Sequence, residues 1–315
     1  LQIPELYSRI EEEFAKVVVG QRQTLRLMLA AYFSRGHILF EGVPGIAKTL
    51  MAKTFAAIVG GTFRRVQFTP DMLPADIIGT MVFLQEEGKF RLHRGPIFCH
   101  FLLADEVNRT PPKTQSALLE AMEERQVSIE GELNPLPPDF TVFATQNPIE
   151  YEGTYPLPEA QVDRFMMRLK VDYPQQPEEV EIIRRYDRGF DAQNLASANL
   201  TDLGIPERFS ELMSEVTAIQ VREEILDYIV EIVRRTRGRR GIALGGSPRA
   251  SIFLLKGAKA LAALSGRDFV IPDDVVELAP QVLNHRLILS PEFEIEGRRP
   301  EDVISEVVGS VEVPR

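Results

Sequence analysis

Residues 37–49 read His37-Ile38-Leu39-Phe40-Glu41-Gly42-Val43-Pro44-Gly45-Ile46-Ala47-Lys48-Thr49, an apolar strand, a glycine-rich turn and the start of a helical run that continues to Val59. In that context a glycine-rich turn binds phosphate: backbone N–H groups at the helix start face the anion, a lysine reaches the terminal phosphates, and a hydroxyl meets Mg²⁺. The segment Gly42–Thr49 therefore marks a candidate nucleotide site, with Lys48 as the cation and Thr49 as a metal ligand. The strict pattern has glycine where Ala47 stands. Alanine fits if that residue is right-handed helical, since only a left-handed turn demands glycine.

Outward from this loop, Phe101-Leu102-Leu103-Ala104 runs into Asp105-Glu106, so two carboxylates emerge at the end of an apolar strand. Asp105 can hold Mg²⁺ and Glu106 can polarise a water that attacks the γ-phosphate. Acidic pairs are also common at solvated strand ends. Position favours function here, because ligands of open parallel sheets gather at the C-terminal strand ends. The next apolar run, Phe140–Thr145, ends in Gln146-Asn147-Pro148, where an amide could orient the attacking water. An ordinary Asn-Pro turn is the alternative.

Candidate strands at His37–Glu41, Phe63–Phe68, Ile97–Asp105, Phe140–Thr145 and Met166–Val171 alternate with helical stretches such as Thr49–Val59 and Pro111–Arg125. Thr110 is expected to cap the second helix, with Pro111 in its first turn. Such alternation predicts an α/β fold with a mainly parallel sheet covered by helices. Thr80–Arg94 and Gln126–Leu136 break the alternation and read as inserted β-hairpins. Past Tyr173–Pro177 strand patterns nearly vanish. Residues 178–188, 206–217, 222–237, 248–264 and 272–284 read as helices, which predicts a sheet domain over 1–175 and a small helical domain over 176–315.

The chain has 315 residues, a net charge of −10 and one cysteine, so its average charge is opposite to the basic footprint of a nucleic-acid binder. Cys99 has no internal partner, and its apolar neighbours predict a buried strand position. The first residues carry no basic region followed by an apolar run, and the run Ile97–Ala104 is far short of the ~20 residues of a membrane span. A cytoplasmic protein is expected. Arg234, Arg235, Arg237, Arg239 and Arg240 could touch nucleic acid, but a basic helix C-terminus also complements the helix dipole. His37, His93, His100 and His285 lack metal-ligand spacing.

Taken together, GVPGIAKT (42–49), LLADEVNR (102–109), ATQNP (144–148), EYEGTYPLPEAQVDRF (150–165) and GSPRAS (246–251) closely resemble the MoxR family of AAA+ ATPases, in the branch that carries an insert in helix 2. The resemblance runs from Val19-Gly20-Gln21 to Val311–Arg315. It implies an AAA+ P-loop core of five mainly parallel strands with two β-hairpin inserts and an all-helical lid. It implies a Walker A loop at Gly42, Val43, Pro44, Gly45, Ile46, Ala47, Lys48 and Thr49, Walker B at Asp105 and Glu106, and sensor 1 at Asn147. Arg164 would be an arginine finger for a neighbouring subunit, and Arg249 a sensor 2 that contacts the γ-phosphate from the lid. Val19, Gly20 and Gln21 would lie against adenine. ATP and Mg²⁺ are the implied cofactors. The implied partners are further copies in a hexameric ring, a von Willebrand A domain protein and a client protein.

Read without the resemblance, Arg164 could instead pair with Asp163 or Glu159. Arg249 near a helix N-terminus opposes the dipole, which a nearby anionic ligand would offset. A remodelling chaperone for complex assembly or metal-cofactor insertion is the expected function. The competing readings are a motor subunit related to magnesium chelatase, a DNA-dependent helicase-like ATPase, and a nucleotide-gated scaffold. The water-activating Glu106 speaks against the scaffold.

Overall fold

Strand residues that alternate between two apolar cores define the centre of the molecule. The computed structural model describes residues 2–43, 45–146 and 154–314. The chain opens with helices α1 (Ile3–Ala15) and α2 (Arg22–Tyr32), then β1 (Ile38–Glu41), α3 (Lys48–Val59) and β2 (Phe63–Gln67). Next come α4 (Pro74–Ile78), the hairpin β3 (Gly79–Leu84) and β4 (Lys89–Arg94), β5 (Phe101–Asp105) and α5 (Pro112–Glu124). The hairpin β6 (Gln126–Ile129) and β7 (Glu132–Pro135) leads to β8 (Thr141–Gln146), α6 (Glu159–Val162) and β9 (Met167–Lys170). The second half contains α7 (Gln176–Asp187), α8 (Phe209–Ala218), α9 (Glu223–Arg235) and β10 (Ile242–Leu244). It closes with α10 (Pro248–Leu264), α11 (Pro272–Leu283), β11 (Ile288–Leu289), α12 (Pro291–Ile295) and α13 (Pro300–Ser310).

The main sheet has the order β2-β5-β8-β1-β9, and every pairing in it is parallel. Its period-2 alternation sends Ile38, Phe40, Phe101, Leu103 and Phe143 to one face, where Tyr32 of α2 and Phe55 of α3 pack on Phe101 and Phe55 also packs on Phe143. Leu39, Leu102, Ala104, Val142 and Ala144 face the other core, with Leu118 and Met122 of α5. Both faces are dry, which is why the central strands read as continuous apolar runs. The first core continues into the second half through Leu254 and Ala258 of α10 and Leu278 of α11. Both hairpins form where expected. In β6–β7 the turn is Glu130-Gly131, both with positive φ (50° and 85°), the geometry of a tight two-residue hairpin.

Four expectations need correction. Strand β5 begins at Phe101, not Ile97: residues 95–100 bend, and His100 and Phe101 both donate their N–H to the Thr62 carbonyl. Cys99 is accordingly buried in the approach to the strand rather than in it, and burial pushes its thiol up to about 12. Thr110 does not cap α5. Pro112 follows Pro111 and drives it out of the helical region (φ −59°, ψ 153°), so the helix starts one residue later. The lid is not wholly helical, because β10 and β11 form a short antiparallel ribbon. Two- and three-residue strands that pair across more than forty residues leave no local pattern. Helices α1 and α2 were not anticipated either, although Ile3, Leu6, Ile10 and Phe14 carry the helical spacing and are buried. No helix among the described residues is long and apolar enough to cross a membrane.

Candidate active site

The loop between β1 and α3 is shaped by two glycines. Gly42 has φ 151°, and a Cβ there would stand 2.6 Å from the Val171 carbonyl oxygen, so no side chain fits. Gly45 has φ 85°, a left-handed conformation that glycine adopts without strain. Ala47 is also left-handed (φ 62°, ψ 17°) and is the residue before α3. The right-handed conformation expected for it is thus not observed. Alanine accepts a cost of roughly 1–2 kcal/mol to turn the chain into the helix. Strain held in a ligand-facing loop is a recurrent feature of functional sites. The α3 N-terminus has no side-chain cap, and its first residues, Lys48, Thr49 and Leu50, line a cavity. The Lys48 ammonium folds back and donates to the Gly42 carbonyl at 2.5 Å. Burial lowers its pKa, against the opposing pull of Asp105, Glu106 and Glu41.

The parallel register brings the carboxylates to this loop. Asp105 ends β5, opposite Gln67 at the end of edge strand β2. Its Oδ1 accepts from the Thr145 hydroxyl (2.6 Å) and its Oδ2 from Arg65 Nη2 and Nε (2.6 and 3.0 Å). Thr145, on β8, also accepts the Glu106 N–H at 2.9 Å, which fixes Glu106 in a left-handed turn (φ 57°). Glu106 Oε2 accepts from the Gln67 amide (2.6 Å) and pairs with Arg109 (3.2 Å). Arg65 and Gln67 thus lie one pleat apart on β2 and hold one carboxylate each. Neither Arg65 nor Gln67 is among the residues that the sequence singles out. The available signal was two polar residues at i and i+2 on a strand of a parallel sheet.

Lys48, Thr49, Asp105 and Glu106 line one cavity of about 1100 Å³, together with Val19 and Gln21. Part of its lining is apolar and aromatic, with Val17, Pro174, Ile183 and Tyr186 beside the charged Asp172, Glu179 and Arg185. The apolar part suits a planar base, while the loop end suits phosphates. Gly20 turns the chain between Val19 and Gln21 at φ 75°, with the Glu178 carboxylate where a Cβ would point. Pro44 and Asn147 lie outside the described residues. The donor set fits Mg²⁺: the Asp105 carboxylate and Thr49 hydroxyl are hard oxygen ligands facing the same cavity, and Asp105 already holds a cation, the Arg65 guanidinium.

Arg164 and Arg249 do not line this cavity. They meet at Glu123 near the end of α5, which accepts from Arg164 Nε at 2.9 Å and from Arg249 Nη2 at 2.5 Å. Arg164 therefore pairs with neither Asp163 nor Glu159. Asp163 instead binds Arg286 Nε at 2.6 Å and lies 3.8 Å from Arg249. Arg286 is buried just past α11 and also donates to the carbonyls of Asp163, Phe165 and Met166, at 2.8, 2.7 and 3.2 Å. The second half of the chain thus grips the segment that carries Arg164. Much of the basic run at the end of α9 and just beyond it is spent internally: Arg235 pairs with Glu231, Arg239 with Glu306, and Arg237 donates to the Gly246 carbonyl.

The chain is similar to known proteins along most of its length. Residues 37–167 match the ATPase family associated with various cellular activities (AAA), and residues 234–307 match the AAA lid domain. The chain is 46% identical to Chaperone MoxR1 of Mycobacterium tuberculosis, over 96% of this chain and 81% of that protein. It is 34% identical to Protein MoxR of Methylorubrum extorquens, over 98% and 95% respectively. The crystal structure of a putative ATPase from Cytophaga hutchinsonii superposes with a TM-score of 0.91 at 42% identity, covering 100% of this chain and 96% of that one.

Proposed function

The chain belongs to the MoxR family of AAA+ ATPases, and from that premise we propose that it hydrolyses ATP in a Mg²⁺-dependent reaction whose active site is completed by a neighbouring copy. In this reading residues 1–175 bind the nucleotide and 176–315 form the lid. Val19, Gly20 and Gln21 border the base, and the loop N–H groups and Lys48 hold the phosphates. Mg²⁺, held by Thr49 and Asp105, would offset the charge of the β- and γ-phosphate oxygens. Glu106 accepts the proton of the attacking water once Gln67 and Arg109 release its Oε2, and Asn147 orients that water. Arg164 serves the nucleotide of the next subunit, and Arg249 contacts a γ-phosphate from the lid. An arginine supplied in trans is worth on the order of 10³–10⁵ in rate in related systems. Work on a client protein, through a hexameric ring and a von Willebrand A domain partner in the cytoplasm, is the biological setting that fits the relatives named chaperone and MoxR.

The observation that supports this reading is the convergence of Lys48, Thr49, Asp105 and Glu106 on one cavity, while both arginines are paired together outside it. Glu106→Gln tests the chemistry. The amide keeps the shape but cannot take a proton, so ATP binding should persist while hydrolysis falls by about 10²–10⁴. Turnover at the wild-type rate in Glu106→Gln would remove Glu106 from its role.

A further inference from the structure

Asp105 offers a metal two carboxylate oxygens, and both are engaged. Oδ1 accepts from the Thr145 hydroxyl, which adds no charge. Oδ2 is held by the Arg65 guanidinium in a two-pronged contact from Nη2 and Nε. Lys48, another cation lining the cavity, is not on this carboxylate, because its ammonium is bonded to the Gly42 carbonyl. The position a divalent cation would take on Oδ2 is therefore filled by a monovalent one that belongs to the chain.

We propose that Arg65 is a positioning residue that stands in for the metal on Asp105, so that Mg²⁺ is refused in the absence of nucleotide and accepted together with it. The proposal rests on the reading of Asp105 as the metal ligand. A bare divalent ion arriving at Asp105 has to displace the guanidinium and then meets its positive charge a few ångströms away. A metal arriving with polyphosphate brings anionic oxygens that can take the displaced guanidinium, so the repulsion is replaced by attraction. Arg65 can make that move. Its side chain is 47% exposed, whereas that of Asp105 is 13% exposed, and Arg65 stands on the edge strand with no neighbour beyond it in the sheet. The same guanidinium donates to Gln67 Oε1 at 3.1 Å, and Gln67 donates onward to Glu106. Departure of Arg65 from Asp105 therefore also removes the support of the amide that restrains Glu106. Metal loading and release of the water-activating carboxylate are linked through one side chain.

The test uses Mn²⁺ alone, with free ion measured by electron paramagnetic resonance in nucleotide-free full-length protein. Arg65→Gln should bind Mn²⁺ about tenfold more tightly than wild type, a modest figure because the charge is half-exposed and screened. Arg65→Lys keeps the charge and should stay within about threefold of wild type. Adding Asp105→Asn to Arg65→Gln should abolish the gain. Equal Mn²⁺ affinity in Arg65→Gln and wild type overturns the proposal, and so does a gain in Arg65→Lys as large as in Arg65→Gln. A gain that survives Asp105→Asn places the ion elsewhere and overturns it too. The underlying reading is checked separately, since Asp105→Asn alone should raise the Mg²⁺ concentration needed for nucleotide binding. If it does not, the reading of Asp105 falls, whatever Arg65 does.

Discussion

Arg286→Met takes a buried guanidinium out of the junction between the lid and the strand edge and leaves a side chain of similar length. The lost contacts include the ion pair with Asp163 (2.6 Å), bonds to the carbonyls of Asp163, Phe165, Met166 and Val282, and the stack on Phe253 at 5.1 Å. Removing one partner of a buried ion pair costs about 3–5 kcal/mol, mostly through the stranded partner. Here the Asp163 side chain remains 25% exposed and can recruit water, so the lower end applies, about 3 kcal/mol. For a chain of this length each kcal/mol corresponds to about 2 °C, which gives a drop of about 6 °C in thermal midpoint. The assay is thermal unfolding of the nucleotide-free protein, with Asp163→Asn and the double variant alongside. The two changes should be strongly non-additive, since each removes the same contact. Because Asp163 precedes Arg164, Arg286→Met should also slow hydrolysis while leaving ATP binding intact. A midpoint within 1 °C of wild type, or additive losses in the double variant, would refute the claim that Arg286 braces this segment.

Two further outcomes follow from burial and backbone geometry. His37 accepts from the Val142 N–H and bonds the Met122 carbonyl, and burial holds its pKa down to about 3. Burial also pushes His285 well below the usual value. Both are neutral when folded but protonate near pH 6.5 when unfolded, so the unfolded chain binds more protons below that pH. Stability should be full above about pH 6.5 and fall on acidification by about 1.4 kcal/mol per pH unit per histidine, for His37 down to its folded pKa of about 3. Urea midpoints between pH 7.5 and 5 measure this, and a flat profile would contradict it. At the loop, Ala47→Gly should change stability by less than about 1 kcal/mol, because the relieved left-handed strain is offset by extra freedom in the unfolded chain. Ala47→Val places a β-branched residue at φ 62° and should lower the thermal midpoint clearly; an unchanged midpoint would contradict the observed conformation.

Much of the sheet and both hairpins could be read because their signals are local. The apolar runs around Leu39, Leu102 and Val142 reflect burial on both faces, and Glu130-Gly131 is a turn by its own chemistry. Lys48 and Thr49 are legible for the same reason, as the start of a helical run after a glycine-rich turn, and Asp105 and Glu106 as carboxylates at the end of an apolar run. The residues that hold them are not. Arg65 and Gln67 matter through the register of β2 against β5, and Glu123 through a fold that brings residues 123, 164 and 249 together. No period along the chain encodes such contacts. A left-handed alanine is locally unfavourable, and at Ala47 the loop overrides that preference. At Thr110 the capping preference yields to the stronger steric demand of Pro112 on Pro111.

The claim that a neighbouring copy completes the site is tested most directly by mixing two inactive variants, Arg164→Ala and Glu106→Gln, and measuring ATP hydrolysis. Each alone should bind ATP and hydrolyse it poorly. In mixed assemblies some interfaces pair an intact Glu106 with a neighbour's intact Arg164, so a substantial fraction of wild-type activity should return. If subunit exchange is demonstrated and hydrolysis stays at the level of the separate variants, Arg164 does not act across the interface.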